Sequence, residues 1–472
     1  MVFSSLTFTF LFLPVVLLLY YPVKNNTYRN DLLLIASILF YSFGEPFFVY
    51  IMLASVVINY SAALLIDRYR GKSLSRICFV VDIMLNIGIL WIFKYLDFSI
   101  EITNSLFNAE LPMVGVTLPI GISFYTFQAL SYVIDVYKGT VKVQKNPLYV
   151  ALYIAFFPQL IAGPIVRYSS IEEQIHERKC SLELFSDGAR RFMQGFCKKV
   201  ILANNLAMVA QETFALDMTQ ANPLYLWIGS ICYSLQIYYD FSGYSDMAIG
   251  LGKMFGFRFE ENFDHPYIAR SVTDFWRRWH ISLSRWFRDY VYIPLGGNRV
   301  KKYRLILNLF IVWLLTGIWH GANYTFVVWG LGYFILLLIE KELVKPEKHE
   351  NKFFEFIWRL VTLLCVNFGW VMFNSADINK GLQYWKAMIG GFGGKAAIDG
   401  NIIFCIREYG FFMICGVLFA MPLMKLIKIK TKHPATASVI TAIEAVGCAL
   451  CFLWAVSFLV LGAHNPFIYF NF

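Results

Sequence analysis

His320 is the side chain of this sequence whose setting best suits acid–base chemistry. It lies in the segment LTGIWHGAN, residues 315–323, inside an apolar stretch that extends from Leu305 to Ile339. If a helix begins near Leu305, a rise of about 1.5 Å per residue puts His320 about 22 Å along it, inside the hydrocarbon zone of a bilayer. Desolvation there keeps an imidazole neutral and ready to accept a proton from a nucleophile. A histidine that only packs against a neighbouring helix is the alternative interpretation.

A second histidine, His280, lies in an aromatic and basic segment, residues 274–290. Aromatic and aliphatic residues recur there at spacings of three and four, which predicts one continuous amphipathic helix at the cytoplasmic membrane interface. From these residues alone, an anchoring role for His280 is favoured over catalysis. The arginines of the segment suit either the phosphates of an anionic cofactor or lipid head groups; they are Arg277, Arg278, Arg285 and Arg288.

A third polar cluster, residues 239–246, follows an apolar run that we predict to span the membrane at residues 223–241. Carboxylates and hydroxyls at the end of a hydrophobic helix are costly, so Asp240, Ser242 and Asp246 are candidate functional residues. Helix capping, or ion pairs with the nearby arginines, is the alternative.

The remaining titratable residues give weaker signals. The other five histidines fall in charged loops, a turn or interfacial segments: His176, His265, His349, His433 and His464. Most of the nine cysteines lie in apolar runs and behave as small hydrophobes, and we predict no metal site. The phosphate loop, the nucleophile elbow and the His-Glu-x-x-His zinc motif are missing, which disfavours an ATP-driven pump, a serine hydrolase and a zinc protease.

The composition is that of a polytopic membrane protein. Of 472 residues, 58% are hydrophobic and only 15% charged, whereas a soluble domain has about 25% charged residues. The net charge of +10 indicates membrane orientation rather than nucleic-acid binding, because lysine and arginine collect in cytoplasmic loops.

Apolar runs of spanning length, oriented by their basic flanks, predict about twelve crossings with both termini outside the cytoplasm. The predicted spans lie near residues 3–21, 32–43, 47–66, 77–95, 117–137, 200–216, 223–241, 305–319, 323–340, 353–373, 408–424 and 436–461. Residues 147–168 are apolar but have basic flanks on both sides and an interior with prolines and glycine, so we expect a re-entrant segment shielded by protein. The segment 253–304 is predicted to be cytoplasmic. The expected fold is a single all-α membrane domain, residues 1–472, with re-entrant and interfacial helices.

Six motifs, densest between about residues 118 and 330, identify the chain as a member of the membrane-bound O-acyltransferase family. They are LPIGISFYTFQ (118–128), FPQLIAGPIVR (157–167), DFSGYSDMA (240–248), WRRWH (276–280), RDYVYIPLGGNR (288–299) and WHGA (319–322). Within the family the chain most resembles the membrane subunits of alginate O-acetylation, and the closing PFIYF (466–470) is similar to that branch.

The resemblance implies a catalytic role for His320 inside a central tunnel through the membrane, with His280 as its companion. It implies an acetyl thioester from the cytoplasm, acetyl-CoA above all, as acyl donor, and no covalently bound cofactor. It also implies a bacterial inner-membrane location and an extracytoplasmic SGNH-type acetyltransferase as partner. Residues of the motifs are expected to line the donor or acceptor tunnel: Gln159, Asp240, Ser242, Asp246, Arg277, Arg278, Trp319 and Asn323.

Two other functions remain open at this point. One is the transfer of D-alanine to teichoic acid from a carrier-protein thioester, which related family members perform. The other, from a different class, is a transporter whose buried histidines relay protons, although no inverted repeat is visible in the sequence.

Overall fold

The computed structural model describes residues 1–349, 351–393, 397–422, 434–462 and 465–468. Every regular element in these residues is a helix, so the prediction of an all-α fold is confirmed. His433, His464 and the last two residues of the motif at 466–470 lie outside the described residues.

The chain forms two compact units, Met1–Phe192 with Tyr244–Glu260, and Met193–Gly243 with Glu261–Phe472. The first unit contains a π-helical turn (Phe8–Phe12), α1 (Leu13–Tyr20), α2 (Asn26–Gly44), α3 (Val49–Arg68), α4 (Ser73–Lys94), α5 (Leu96–Phe107), α6 (Ile122–Lys138), α7 (Pro147–Ala155), α8 (Phe157–Leu160) and α9 (Tyr168–His176). Helices α10 (Leu182–Cys197) and α12 (Pro223–Met254) have residues in both units.

The second unit contains a π-helical turn (Lys198–Ala203), α11 (Asn204–Phe214), a 3₁₀ turn (Pro266–Ile268), α13 (Val272–Arg278), α14 (Ile281–Phe287), a π-helical turn (Arg288–Tyr292), α15 (Lys302–His320), α16 (Tyr324–Ile339), a π-helical turn (Glu340–Val344), a 3₁₀ turn (Pro346–Lys348), α17 (Lys352–Asn374), α18 (Ile378–Met388), α19 (Gly400–Ala420) and α20 (Pro434–Val460).

Six helices of the described residues are long and apolar enough to cross a membrane. They are α3, α4, α15, α17, α19 and the part of α20 from Ala442 to Val460. A shorter apolar helix, Phe8–Tyr20, matches the first predicted run. The membrane character of the chain is therefore supported by length and hydropathy, and the count of about twelve crossings stays a prediction.

The helical structure between residues 147 and 168 is interrupted, as the prolines and the glycine of this segment predict. Helix α7 ends before Phe156, α8 is only four residues long, and residues 161–167 are not helical. Residues 150–166 are all buried. Protein therefore shields the irregular backbone, which is the condition for such a segment at membrane depth.

Helix α12 is longer than predicted. It continues for 32 residues to Met254, about 48 Å at the usual rise, so the prediction that the polar cluster at residues 239–246 lies at the end of a helix is wrong. The residues after Gly243 are again largely apolar, and a single glycine costs too little to end a helix. Asp240, Ser242 and Asp246 therefore lie within a helix and not at its end.

Two glycines bring α15 and α16 into close contact. A Cβ atom on Gly317 would lie 2.5 Å from the carbonyl oxygen of Phe326, and one on Gly330 would lie 2.6 Å from that of Trp313. The backbones of the two helices therefore pack against each other where neither position carries a side chain. This contact lies one turn before His320.

The segment 274–290 is not one helix, and that prediction is wrong. Helix α13 ends at Arg278, Trp279 is extended, and α14 begins only after His280, whose φ of 44° is left-handed. The amides of Asp264 and Ile281 donate hydrogen bonds to the carbonyls of Arg278 and Asn262, at 3.0 Å each. These tertiary hydrogen bonds outweigh the local preference for continued helix.

Candidate active site

His280 lies at the break between α13 and α14, where 1% of its surface is exposed. Its Nδ1 is 3.2 Å from Oδ1 of Asn262. The ring of Phe241 meets the imidazole edge-on, with centroids 4.6 Å apart. Burial lowers the pKa of His280 to about 3, because desolvation disfavours the charged ring. The side chain is therefore a neutral imidazole at physiological pH.

His320 is the last residue of α15 and is 3% exposed. The helix begins at Lys302, so His320 lies about 27 Å along it, at the end opposite the basic segment 253–304. Its ring packs against those of Trp329 and Phe373, with centroids 5.0 and 5.3 Å away. The aromatic rings leave His320 in a low-dielectric setting.

The two predicted histidines share a neighbour. The Trp319 ring lies 5.9 Å from the ring of His280 and 5.0 Å from that of His320, centroid to centroid. Residues separated by forty positions in the sequence thus meet around one indole. The structure brings together these three of the predicted site residues.

A cavity of about 840 Å³ opens beside His280. Its apolar wall is formed by side chains of α13–α16: Trp276, Ile281, Leu283, Phe287, Leu309, Val312, Trp313 and Leu337. Thr316, one turn before His320, also lines it. The volume falls in the range of about 300–1,000 Å³ that small-molecule sites occupy.

The same cavity is lined by five basic side chains and two carboxylates. The basic residues are Arg277, Arg285, Arg288, Lys341 and Lys345, and the acids are Glu340 and Glu347. Arg277 pairs with Glu347 at 3.4 Å, and both side chains are exposed. Arg278, which was also predicted to line the tunnel, instead pairs with Asp274, at 2.9 Å. The charge of this lining suits an anion.

Glu340 is a residue that the sequence analysis missed. It is 2% exposed, and its carboxylate accepts hydrogen bonds from the amides of Val272 and Thr273, at 2.6 and 2.9 Å. The Thr273 hydroxyl (2.7 Å) and the indole N–H of Trp358 (3.0 Å) also donate to it. Glu340 thereby fixes the start of α13, the helix that leads to His280. The sequence offered only one signal, an acid directly after an apolar helix, and it gave no indication of the partners of that acid.

Asp240 is engaged in a buried ion pair. Its Oδ1 lies 2.7 Å from Nζ of Lys199, and the two side chains are 1% and 3% exposed. The amide of Ile468 donates to Oδ2 of Asp240 at 2.9 Å, and Nζ of Lys199 also donates to the carbonyl of Pro466. The pair therefore holds the C-terminal segment.

The other predicted tunnel residues have structural partners or lie elsewhere. Asp246 and Gln159 belong to the first unit, where Asp246 pairs with Arg191 at 2.6 Å and the Gln159 amide donates to the Tyr153 carbonyl at 2.6 Å. Asn323 caps α16, accepting from the Thr325 amide at 3.0 Å. Ser242 is 2% exposed within α12.

Comparison with known proteins gives one family. Residues 141–346 match the profile of the membrane-bound O-acyltransferase (MBOAT) family. The "Probable alginate O-acetylase AlgI" of Pseudomonas syringae pv. tomato is 45% identical over 82% of this chain and 75% of its own length.

Two further relatives have different names. The "Peptidoglycan O-acetyltransferase" of Helicobacter pylori is 35% identical over 83% of this chain and 80% of its own length. The "Teichoic acid D-alanyltransferase" of Bacillus subtilis is 29% identical over 54% of this chain and 67% of its own length. The matched residues contain both histidines and every residue that lines the cavity except Glu347.

Proposed function

Because the chain belongs to the membrane-bound O-acyltransferase family, we propose that it takes an acetyl group from acetyl-CoA in the cytoplasm for O-acetylation of an extracytoplasmic polysaccharide. An extracytoplasmic acetyltransferase of the SGNH type is the proposed partner, and the bacterial inner membrane the proposed location. The single observation that carries the proposal is the cavity beside His280, with its apolar wall and its basic residues.

The lining of the cavity matches the two halves of a coenzyme A thioester. The pantetheine arm is thin and uncharged, so it suits the apolar wall, which includes Trp276 and Trp313. The nucleotide end carries phosphates, which arginine binds with paired hydrogen bonds. Arg277, Arg285 and Arg288 are the residues we assign to it. The thioester would then enter with its acetyl end toward His280 and Thr316.

We assign the role of general base to His320, and we propose that His280, its expected companion, is a second ring that takes part in proton transfer. The imidazole of His320 takes the proton of an acceptor hydroxyl, and the oxygen of that hydroxyl attacks the thioester carbonyl. The carbon–sulfur bond breaks, and the proton leaves with the sulfur as a free thiol. The products are one acetyl ester and one coenzyme A thiol. A setting of aromatic rings excludes bulk water, which limits hydrolysis of the thioester.

The identity pattern favours acetyl over D-alanyl transfer. The two O-acetylating relatives match more than four fifths of this chain, whereas the D-alanyltransferase matches about half. A carrier protein also presents its thioester on a pantetheine arm with one phosphate, which makes no use of several basic residues in the cavity.

The role of His320 is tested by acetyl-donor turnover in purified protein. We expect His320→Gln to lose between about 10²- and 10⁴-fold in rate, the usual contribution of a general base. His349→Gln, which changes an exposed histidine, is the matched control. Turnover of His320→Gln at the wild-type rate would reject the role. Solute flux through proteoliposomes without donor consumption would favour a transporter instead.

The donor is tested by comparing acetyl-CoA with acetyl-pantetheine, which has no phosphates. We expect Arg277→Ala and Arg285→Ala to raise KM for acetyl-CoA and to leave KM for acetyl-pantetheine unchanged. Arg407→Ala, on α19, controls for the loss of an exposed arginine. An equal effect on both donors would contradict phosphate binding by these residues.

A further inference from the structure

We propose that Asn262 is a positioning residue that holds His280 in the tautomer with hydrogen on Nδ1, so that Nε2 is the proton acceptor of this ring. The functional meaning of the inference rests on the proposed acetyl transfer, whereas the tautomer itself does not. The argument depends on three donors that converge on one oxygen of Asn262.

The first step is the identity of that oxygen. The backbone amide of Ser282 lies 3.2 Å from Oδ1 of Asn262, and a backbone amide can only donate. The hydroxyl of Ser282 also donates to the same atom, at 2.9 Å. The side-chain amide of Asn262 is therefore oriented with its oxygen, and not its NH₂ group, toward residues 280–282.

The second step is the proton on His280. Its Nδ1 lies 3.2 Å from this same oxygen, and an amide oxygen can only accept. A hydrogen bond between them requires a hydrogen on Nδ1. In a neutral imidazole the other nitrogen, Nε2, then carries the lone pair and acts as an acceptor.

The third step is the backbone. The carbonyl oxygen of Asn262 accepts from the amide of Ile281 at 3.0 Å, so the main chain and the side chain of one residue both bind the segment after His280. His280 has a left-handed backbone, φ 44°, which a residue with a Cβ adopts only when its surroundings hold it there. The buried Asn262, which is 1% exposed, contributes two of the groups that hold this segment.

The consequence concerns the direction in which protons move at His280. With hydrogen on Nδ1 directed at Asn262, Nε2 is the ring nitrogen that carries the lone pair and can take a proton from a substrate group. The opposite tautomer would turn a hydrogen toward that group and a lone pair toward the amide oxygen. Other charged groups also line the cavity beside His280, and a substitution of Asn262 leaves all of them in the chain, so it tests the contacts of Asn262 and not these charges. They are Arg277, Arg285, Arg288, Glu340, Lys341, Lys345 and Glu347.

The tautomer is read directly by nitrogen-15 NMR of histidine-labelled protein in nanodiscs, with the His280 signals assigned by their loss in His280→Gln. We expect hydrogen on Nδ1 in the wild type and a mixture or the Nε2 form in Asn262→Leu, which has no acceptor. Asn367→Leu, which removes another buried amide that donates to Ser234 at 3.0 Å, should leave the His280 signals unchanged. Hydrogen on Nε2 in the wild type, or an unchanged tautomer in Asn262→Leu, would overturn the inference.

The pH dependence of acetyl transfer gives a second readout through Asn262→Asp. The carboxylate of Asn262→Asp keeps an acceptor oxygen beside Nδ1 and stabilises the protonated ring of His280. The acidic limb of the pH profile should therefore move to higher pH by about 1–3 units. Activity of this variant above that limb should approach the wild type, whereas Asn262→Leu should lose about 10²-fold or more in kcat. A carboxylate with no effect on the acidic limb would contradict the contact. If the wild type transfers no acetyl group, the proposed function fails while the NMR result stands.

Discussion

Substitution of Gly317 by alanine is expected to damage catalysis without any change in a group that touches substrate. The new Cβ would lie 2.5 Å from the carbonyl oxygen of Phe326 and 3.3 Å from Cα of Val327, and ordinary contact begins at 3.4 Å. The obstacle at 2.5 Å is backbone, which cannot rotate away. Relief requires α15 and α16 to separate locally by about 0.9 Å, the difference between 3.4 and 2.5 Å.

That separation acts directly on the surroundings of His320. Gly317 lies one turn before it on α15, and Trp329, on α16, packs against its ring. A misplacement of about 1 Å at a reacting group costs about 10²-fold in rate. Forced overpacking also destabilises a protein, by about 1–3 kcal/mol. We therefore expect Gly317→Ala to lose about two orders of magnitude in kcat, with a smaller change in KM.

The experiment has a matched control on the neighbouring helix. Gly332 lies in α16, and a Cβ atom there would meet nothing within 4 Å. Gly332→Ala should therefore retain wild-type acetyl transfer and gain slightly in stability, since alanine favours a helix over glycine by about 1 kcal/mol. Both variants are assayed for kcat and KM and for unfolding in SDS. Wild-type kcat in folded Gly317→Ala would refute the reasoning.

Three further predictions concern buried titratable side chains. Lys199→Met and Asp240→Leu should each destabilise the protein by about 3–5 kcal/mol, because each single change leaves an uncompensated buried charge. The double variant should be destabilised by less than either single variant. Unfolding in SDS of all four proteins measures this coupling, and additive effects of the two changes would contradict it. Glu340→Gln should cost about 1–3 kcal/mol of stability and raise protease cleavage near α13, because glutamine has one acceptor oxygen where the carboxylate has two. The free energy of unfolding should fall as pH drops from 6.5 toward 3, because His280 binds a proton in the unfolded state in this range but stays neutral in the folded state. The expected slope is about 1.4 kcal/mol per pH unit. Thermal unfolding of His280→Gln should lack this slope.

The elements that local pattern determines were predictable from the sequence. Long apolar runs with basic flanks correctly indicated helices such as α3, α4 and α15. The prolines and glycine of residues 147–168 correctly indicated a broken segment, since neither residue type continues a helix easily. The pairing of His280 with His320 came from the family motifs and not from their spacing.

The elements that tertiary contacts determine were not predictable. A three-to-four periodicity continues through His280, yet the helix is interrupted there, because hydrogen bonds with Asp264 and Asn262 satisfy the backbone groups of Arg278 and Ile281 instead. The partners of Asp240 and Glu340 lie 41 and 68 positions away, and neither separation leaves a local signal. No local pattern indicates either that α16 is the element that approaches Gly317.

The position of His320 at the end of α15 suits the role of general base that we propose for it. A neutral imidazole costs little to bury, but it must become charged once it takes a proton, and that charge would be costly among aromatic rings alone. The C-terminal end of a helix carries a partial negative charge, which stabilises a cation by about 0.3–1 kcal/mol, and by up to about 2 kcal/mol in a partly buried setting. At the end of α15, His320 therefore combines burial among aromatic rings with proximity to the helix carbonyls, which would stabilise the proton that it takes in the proposed mechanism. A histidine in the middle of the same helix would have the first property without the second.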